Sequence, residues 1–208
     1  MSNNNNIAII GYSGHAHVCL EIADLMNLVV TGYFDVEEKS FNPYNLTCLG
    51  SEEIIKEKKL VFIGIGDNKL RSKIYNSSII RGLNLSTNLI HPNSIISQKV
   101  EIGMNNLIGP GVIINPLAKI GNACILNSGS IIEHECAIGD FVHIAPGAVL
   151  AGNVQIGERS FIGANSVIKQ GVIIGKDVIV GAGSVILNDI QDNQIVVGNP
   201  AKPLIKNK

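Results

Sequence analysis

Between Asn93 and Asn188 the chain repeats itself every six residues. Cut into sixteen hexads, from NSIISQ and KVEIGM to DVIVGA and GSVILN, it carries an aliphatic residue at the fourth position of every one. Thirteen of these are Ile; Leu126, Leu150 and Val180 complete the set. The second position holds a small or medium residue, and Gly recurs at the fifth. An α-helix turns every ~3.6 residues and cannot keep a period of six on one face, whereas short strands joined by sharp corners can. Three hexads then make one triangular coil of 18 residues, with fourth-position side chains stacked inward and coils about 4.8 Å apart. Gly and Asn near the corners suit backbone that turns with positive φ.

The segment before the repeat has another texture. Asn6–Gly11 reads as a buried strand, and His15–Met26 as a helix with Val18, Ile22 and Leu25 at helical spacing. A second strand is expected at Leu28–Phe34, a short helix at Ser51–Glu57, a third strand at Leu60–Gly64 and a second long helix at Asn68–Ile80. A last strand at Leu83–Leu89 and a hinge at Ile90-His91-Pro92 lead into the coils. Strands alternating with helices predict a small, Rossmann-like parallel α/β sheet. The fold class expected is therefore an α/β domain over residues 1–90 followed by an all-β parallel β-helix with a C-terminal tail over 91–208.

Composition narrows the function. Lys plus Arg number 16 against 17 Asp plus Glu, so neither nucleic acid nor an anionic membrane is an expected partner. Aromatic residues are only 4% and Trp is absent, as suits stacked aliphatic β-structure. The four cysteines form no CxxC pair, and Cys124 and Cys136 fall at the inward second position, as packing residues. The N-terminus shows no apolar leader and no apolar run reaches the ~20 residues of a membrane span. A cytoplasmic protein with reduced thiols is expected. The histidines and acids lack recognised metal-ligand spacing, so no metal is expected.

Two places carry candidate chemistry. Gly11-Tyr12-Ser13-Gly14-His15 joins the first strand to the first helix, where glycines let backbone amides approach a diphosphate. Asp35, at the end of the second strand, stands where a ribose-binding acid would, and Gly64-Ile65-Gly66-Asp67 repeats the theme. The full GxGxxG is missing, which argues against a nicotinamide dinucleotide, and glycines serving only a tight turn are the plain alternative. In the repeat, His134 lies between Glu133 and Glu135 at a coil corner. A carboxylate on one imidazole nitrogen fixes the tautomer and makes the other a better base. His134 and Gly152 both hold position six and are 18 residues apart, so they should stack on adjacent coils within about 5 Å. Ala164 and Ala182 stack likewise at another corner. His143, at position three, should face outward; His17 and His91 are read as structural.

The motifs GYSGH, IEHECAIGDFVHIAPGA and VGNPAKPL together resemble the sialic acid O-acetyltransferase and amino-sugar N-acetyltransferase family of hexapeptide-repeat enzymes. IEHEC and LAGNV look closest to the bacillosamine-pathway members, which modify a UDP-linked 4-amino sugar. The resemblance implies a left-handed coil, a homotrimer, acetyl-CoA as co-substrate, and a nucleotide sugar held by the first domain. It implies roles as well. His134 is the general base and Glu135 its orienting partner; His143 contacts acetyl-CoA, and Gly152 offers an amide to the acetyl carbonyl. Ala164 and Ala182 flank the pantetheine arm. Ser13, Gly14 and His15 meet the phosphate or sugar, Asp35 holds the nucleoside, and Gly66 and Lys69 line the same pocket. The expected reaction is acetyl transfer to the 4-amino group without an acyl-enzyme. The alternatives are O-acetylation of a sialic or related nonulosonic acid, and a non-catalytic nucleotide-sugar scaffold.

Overall fold

The computed structural model describes residues 5–55 and 58–204. Its first part is a three-stranded parallel sheet in the order β2-β1-β3, with β1 at Asn6–Ile10, β2 at Val29–Phe34 and β3 at Val61–Ile63. Helix α1 (Gly14–Leu25) joins β1 to β2, and α2 (Asn68–Ile80) follows β3. Ile7, Ala8, Ile9 and Ile10 are all buried, as a continuous apolar run in a central parallel strand should be. The chain passes from β1 to β2 on one side and then to β3 on the other. That reversal opens a crevice at the carboxyl end of β1, where Gly11–Gly14 lies. The short helix expected at Ser51–Glu57 is a 3₁₀ turn, Glu52–Ile54, capped by Ser51; Lys56 and Glu57 lie outside the described residues.

One expectation fails here. Leu83–Leu89 is not a strand: it makes a single bridge, Leu60 to Asn84. Leu89–Ile90 instead pairs in register with Leu107–Ile108, so the supposed hinge at Ile90-His91-Pro92 already belongs to the first coil. The Leu89-Ile90 pair is thus the first rung of the coil and not the last strand of the α/β sheet.

From there the chain winds as a parallel β-solenoid whose two-residue strands occupy positions three and four of each hexad. Pairs such as Ile131 with Val149 and Ile125 with His143 repeat at the expected 18-residue spacing. The fourth position points inward, and Ile108, Ile114, Ile132, Ile144, Ile162 and Ile168 are each fully buried. The glycines divide their work differently from the expectation. Positive φ falls at position one, at Gly111 and Gly129 but also at Leu117, Glu135, Phe141 and Arg159. The position-five glycines serve close stacking: a Cβ on Gly157 would lie 2.5 Å from the carbonyl carbon of Gly175 on the next coil.

The prism has three unlike faces. One is covered by the α/β domain: Leu89, Leu107 and Ile125 are buried with Cys19, Leu20 and Ile22 of α1. A second presents an unbroken aliphatic ladder at position three, Ile95, Ile113, Ile131, Val149, Val167 and Val185, with Ile95 64% exposed. The third is mostly polar there, with Glu101, Lys119 and Gln155. Two side chains sew the α/β domain to the covered face. Asn105 accepts from Ile63 N–H (3.0 Å) and donates to Val61 O (3.0 Å), completing the open edge of β3. Arg71, 1% exposed, is the stronger tie. Its Nε donates to Ala123 O (2.7 Å) and Nη1 to Ile65 O (3.0 Å) and Gly66 O (2.9 Å). Nη2 donates to Asn68 Oδ1 (2.7 Å) and Phe141 O (2.9 Å), so all five donors meet neutral oxygens. Burial pulls its pKa down to about 10.

Candidate active site

The corner between the aliphatic and polar faces carries His134. Its Nδ1 lies 2.9 Å from Glu135 Oε2. A carboxylate only accepts, so Nδ1 donates and the neutral ring keeps its lone pair on Nε2. Glu135 reaches this position from a left-handed backbone (φ 63°), held by its N–H on Pro116 O at 3.1 Å. Such a conformation is costly for a residue with a Cβ and is tolerated here because the coil imposes it. The imidazole is exposed on one side and rests on Gly152 of the next coil on the other. A Cβ on Gly152 would sit 2.6 Å from His134 Cε1 and 2.7 Å from Nε2. The 18-residue stacking expected of this pair is realised, with Asn153 N–H on His134 O at 2.8 Å. Position six is Pro in three hexads (Pro110, Pro116, Pro146), so the coil itself does not require an amide there. The Gly152 N–H is thereby free to serve a ligand. Gly152→Ala is expected to displace the ring rather than unfold the coil, because the obstructing group is a half-exposed side chain. Turnover should fall by at least about tenfold, with the melting temperature nearly unchanged; wild-type kcat in that variant would contradict the arrangement.

Ala164 and Ala182 stand at a different corner, between the covered and aliphatic faces. They lie on adjacent coils, with Gly183 N–H on Ala164 O at 2.8 Å, and neither presents more than a methyl group. One aliphatic face, roughly 15–20 Å of strand and corner, separates them from His134.

The third group belongs to the α/β domain. Ser13 is the N-cap of α1 but makes no side-chain cap bond, and no acid occupies the first turn. Asp67 of α2, by contrast, accepts from Leu70 N–H at 2.7 Å. The amino terminus of α1 is thus left open beside Gly14, a site suited to an anion. Asp35 is already engaged: Oδ2 accepts from Tyr12 N–H (3.1 Å), and Oδ1 from Val36 N–H (2.8 Å) and Lys39 Nζ (3.0 Å). It therefore holds the glycine turn and Lys39 in place. Around it lies a pocket of about 260 Å³ walled by Ile10, Phe34, Ile65, Leu70 and Ile74.

His15 and His143 meet across the domain seam, with ring centroids 6.4 Å apart. His143 does leave the prism outward, but that side is covered rather than open. Its Nε2 lies 3.3 Å from Asn127 Nδ2, and Phe161 packs edge-on at 5.0 Å. Burial first, then the Arg71 guanidinium, then His15, bring its pKa down to about 3; burial and Arg71 bring His15 to about 4. Both rings are neutral at pH 7. His15 Nε2 is buried without a hydrogen-bond partner. Gly66 packs against His15, with Cβ-equivalent contacts at 3.7 Å. Gly66 and Lys69 do not share the Asp35 pocket, however. They border a separate one of about 330 Å³ with Arg159, Phe161 and Asp177. The amino end of α2 lines both pockets, Leu70 the first and Asn68 with Lys69 the second.

His17 joins an aromatic group with Tyr12, Phe41 and Tyr44. Cys124 and Cys136 are buried in the coil core as expected, and burial pushes the Cys124 thiol up to about 12. Among the described residues no cluster of His, Cys, Asp or Glu could hold a metal, and no helix is long and apolar enough to cross a membrane.

Residues 6–78 match the family model described as the PglD N-terminal domain, and residues 117–152 and 153–188 each match the bacterial transferase hexapeptide model of six repeats. No curated protein matches the chain. Among solved structures, a mutant of perosamine N-acetyltransferase from Caulobacter crescentus, in complex with CoA and GDP-perosamine, is 32% identical with a TM-score of 0.90, covering 97% of each chain. The acetyltransferase domain of PglB from Neisseria gonorrhoeae is 31% identical with a TM-score of 0.90, covering 97% of this chain and 100% of that one. WeeI from Acinetobacter baumannii is 28% identical with a TM-score of 0.87, covering 95% and 99%.

Proposed function

The chain belongs to the acetyl-CoA-dependent sugar N-acetyltransferases built from a PglD-type N-terminal domain and hexapeptide repeats, and from that premise we propose its acceptor and mechanism. The acceptor is the 4-amino group of a nucleoside-diphosphate-linked amino-dideoxy sugar. The observation that carries this reading is the His134–Glu135 pair laid over Gly152. The amine nitrogen attacks the thioester carbonyl while His134 Nε2 takes a proton from the developing ammonium. Glu135 stabilises the imidazolium that results, and the Gly152 N–H faces the oxyanion. The new C–N bond replaces the C–S bond, and coenzyme A leaves as the thiol or thiolate. Nothing in this sequence needs an acyl-enzyme.

The diphosphate sits at the open amino terminus of α1, against Ser13 and Gly14, with Lys39 at the rim. The sugar then extends toward His15, whose unpartnered Nε2 supports contact with a sugar hydroxyl or phosphate oxygen. That path ends on the covered face, whereas His134 stands one face away. The site is therefore incomplete in a single chain. Packing three aliphatic ladders about a threefold axis would bury an apolar surface that lone monomers rarely expose. It would also bring the His134 corner of one copy to the Ala164–Ala182 corner of the next, with acetyl-CoA running between them. This is a homotrimer with shared sites. Its reaction partners suit a cytoplasmic enzyme.

The sequence favoured a UDP-linked sugar, while the Caulobacter neighbour binds a GDP-linked one. The test is coenzyme A release from acetyl-CoA with UDP- and GDP-linked 4-amino-4,6-dideoxy sugars and with free sialic acid. Turnover confined to a nucleotide-linked amine is the expected result. Turnover with sialic acid alone would overturn the acceptor while leaving His134 its role.

A further inference from the structure

We infer that Glu52, at the rim of the Asp35 pocket, selects guanine over uracil as the base of the bound nucleotide; this rests on the nucleotide-sugar reading above. The pocket is an apolar slot with charge at its rim. Ile10 and Ile65 supply one wall, and Leu70 with Ile74, one turn apart on α2, another. Such walls accept the flat faces of any base. Discrimination must come from the polar groups that meet its edge: the charged ones are Asp35, Lys39 and Glu52, beside the Ser13 hydroxyl and a Tyr12 hydroxyl already donated to Asn42.

Asp35 is not available, since its two oxygens already accept from Tyr12 N–H, Val36 N–H and Lys39. Glu52 enters from the capped 3₁₀ turn Glu52–Ile54. Its backbone carbonyl is fixed by Arg81 Nη1 at 2.7 Å. Among the described residues its carboxylate accepts one hydrogen bond, a long one from Ser51 Oγ at 3.5 Å from Oε2. The slot thus offers an acceptor-only group anchored at its backbone and, in the same lining, an ammonium that spends one donor on Asp35 and keeps the others.

Guanine fits that pair. Its N1–H and N2–H₂ lie side by side and match the two oxygens of one carboxylate, while O6 and N7 accept from an ammonium. Uracil offers a single N3–H flanked by two carbonyl oxygens. A carboxylate facing that edge gains one hydrogen bond and opposes an oxygen with the other, which discriminates by repulsion as well as by attraction.

The experiment is calorimetric binding of GDP, IDP and UDP to the full chain and to Glu52→Gln. Inosine keeps N1–H and lacks only the N2 amine, so IDP isolates one of the two bonds. The wild type is expected to bind GDP at least about tenfold tighter than UDP, with IDP between them. Glu52→Gln should weaken GDP by about 10- to 100-fold, bring GDP and IDP together, and leave UDP unchanged or improved. Equal or tighter binding of UDP by the wild type overturns the inference whatever the variant does. So does an equal loss of GDP and UDP in Glu52→Gln, which would assign the carboxylate to the ribose. Binding of none of the three would instead remove the nucleotide-sugar reading on which it stands.

Discussion

His134→Ala is expected to lower kcat by about 10²–10⁴-fold, the usual cost of losing a positioned general base. Its KM for acetyl-CoA should change little. The imidazole rests on Gly152 and, among the described residues, bonds only to Glu135, so its removal disturbs neither the coil core nor the Ala164–Ala182 corner. Stopped-turnover assays on the purified variant, with coenzyme A binding measured separately, separate the two effects. Glu135→Gln should fall short of that loss. The amide still reaches Nδ1, but its neutral oxygen stabilises the imidazolium less than a carboxylate does. Unchanged turnover in His134→Ala would remove this histidine from the chemistry altogether.

The second large effect concerns stability. Arg71→Leu should destabilise the folded chain by about 3–5 kcal/mol, since a buried acceptor left without its donor costs about 1–3 kcal/mol and partial relaxation keeps several such losses from adding in full. Here the cost falls on four carbonyls and an amide oxygen, left buried without a donor at the seam between α2, the Gly64–Asp67 turn and two coils. Arg71→Lys should recover little, because an ammonium carries three donors on one atom and cannot span five acceptors. Denaturant titration followed by far-ultraviolet circular dichroism reads the loss directly. A drop below 1 kcal/mol in Arg71→Leu would mean the seam is held by the Leu89–Leu107–Ile125 packing alone.

The solenoid was legible because its constraint is local and repeats. An inward position every sixth residue, read sixteen times, leaves the chain no other regular structure. The same register gave the His134–Gly152 stack and the buried thiols of Cys124 and Cys136. Arg71 was not legible. In the sequence it is one basic residue on a helix between Lys69 and Lys73, and its acceptors run from Ile65 to Phe141 without any period. Asn105 is the same case, a position-one residue among many whose partners lie on β3. His143 shows the boundary clearly. Alternation along a strand says which side a residue leaves from, but not what docks there. Here His15 and Gly66 do, and they turn an outward histidine into a half-buried, neutral one. Gly near a corner points to turning in a sequence, whereas at the fifth position the neighbouring coil requires it for close approach.

These points meet in one claim: that catalysis occurs between copies, with His134 from one and the nucleotide-sugar domain from another. The direct measurement is complementation between two inactive variants. His134→Ala lacks the base; Ser13→Asp puts a carboxylate at the open amino terminus of α1, where it caps the helix and repels a diphosphate. Each should be inactive alone. Dissociated and reassembled together, they should regain a substantial fraction of wild-type turnover, because some junctions then pair an intact His134 with an intact α1 terminus. Mixed oligomers that form and yet stay inactive would contradict the shared site and return the whole reaction to a single chain.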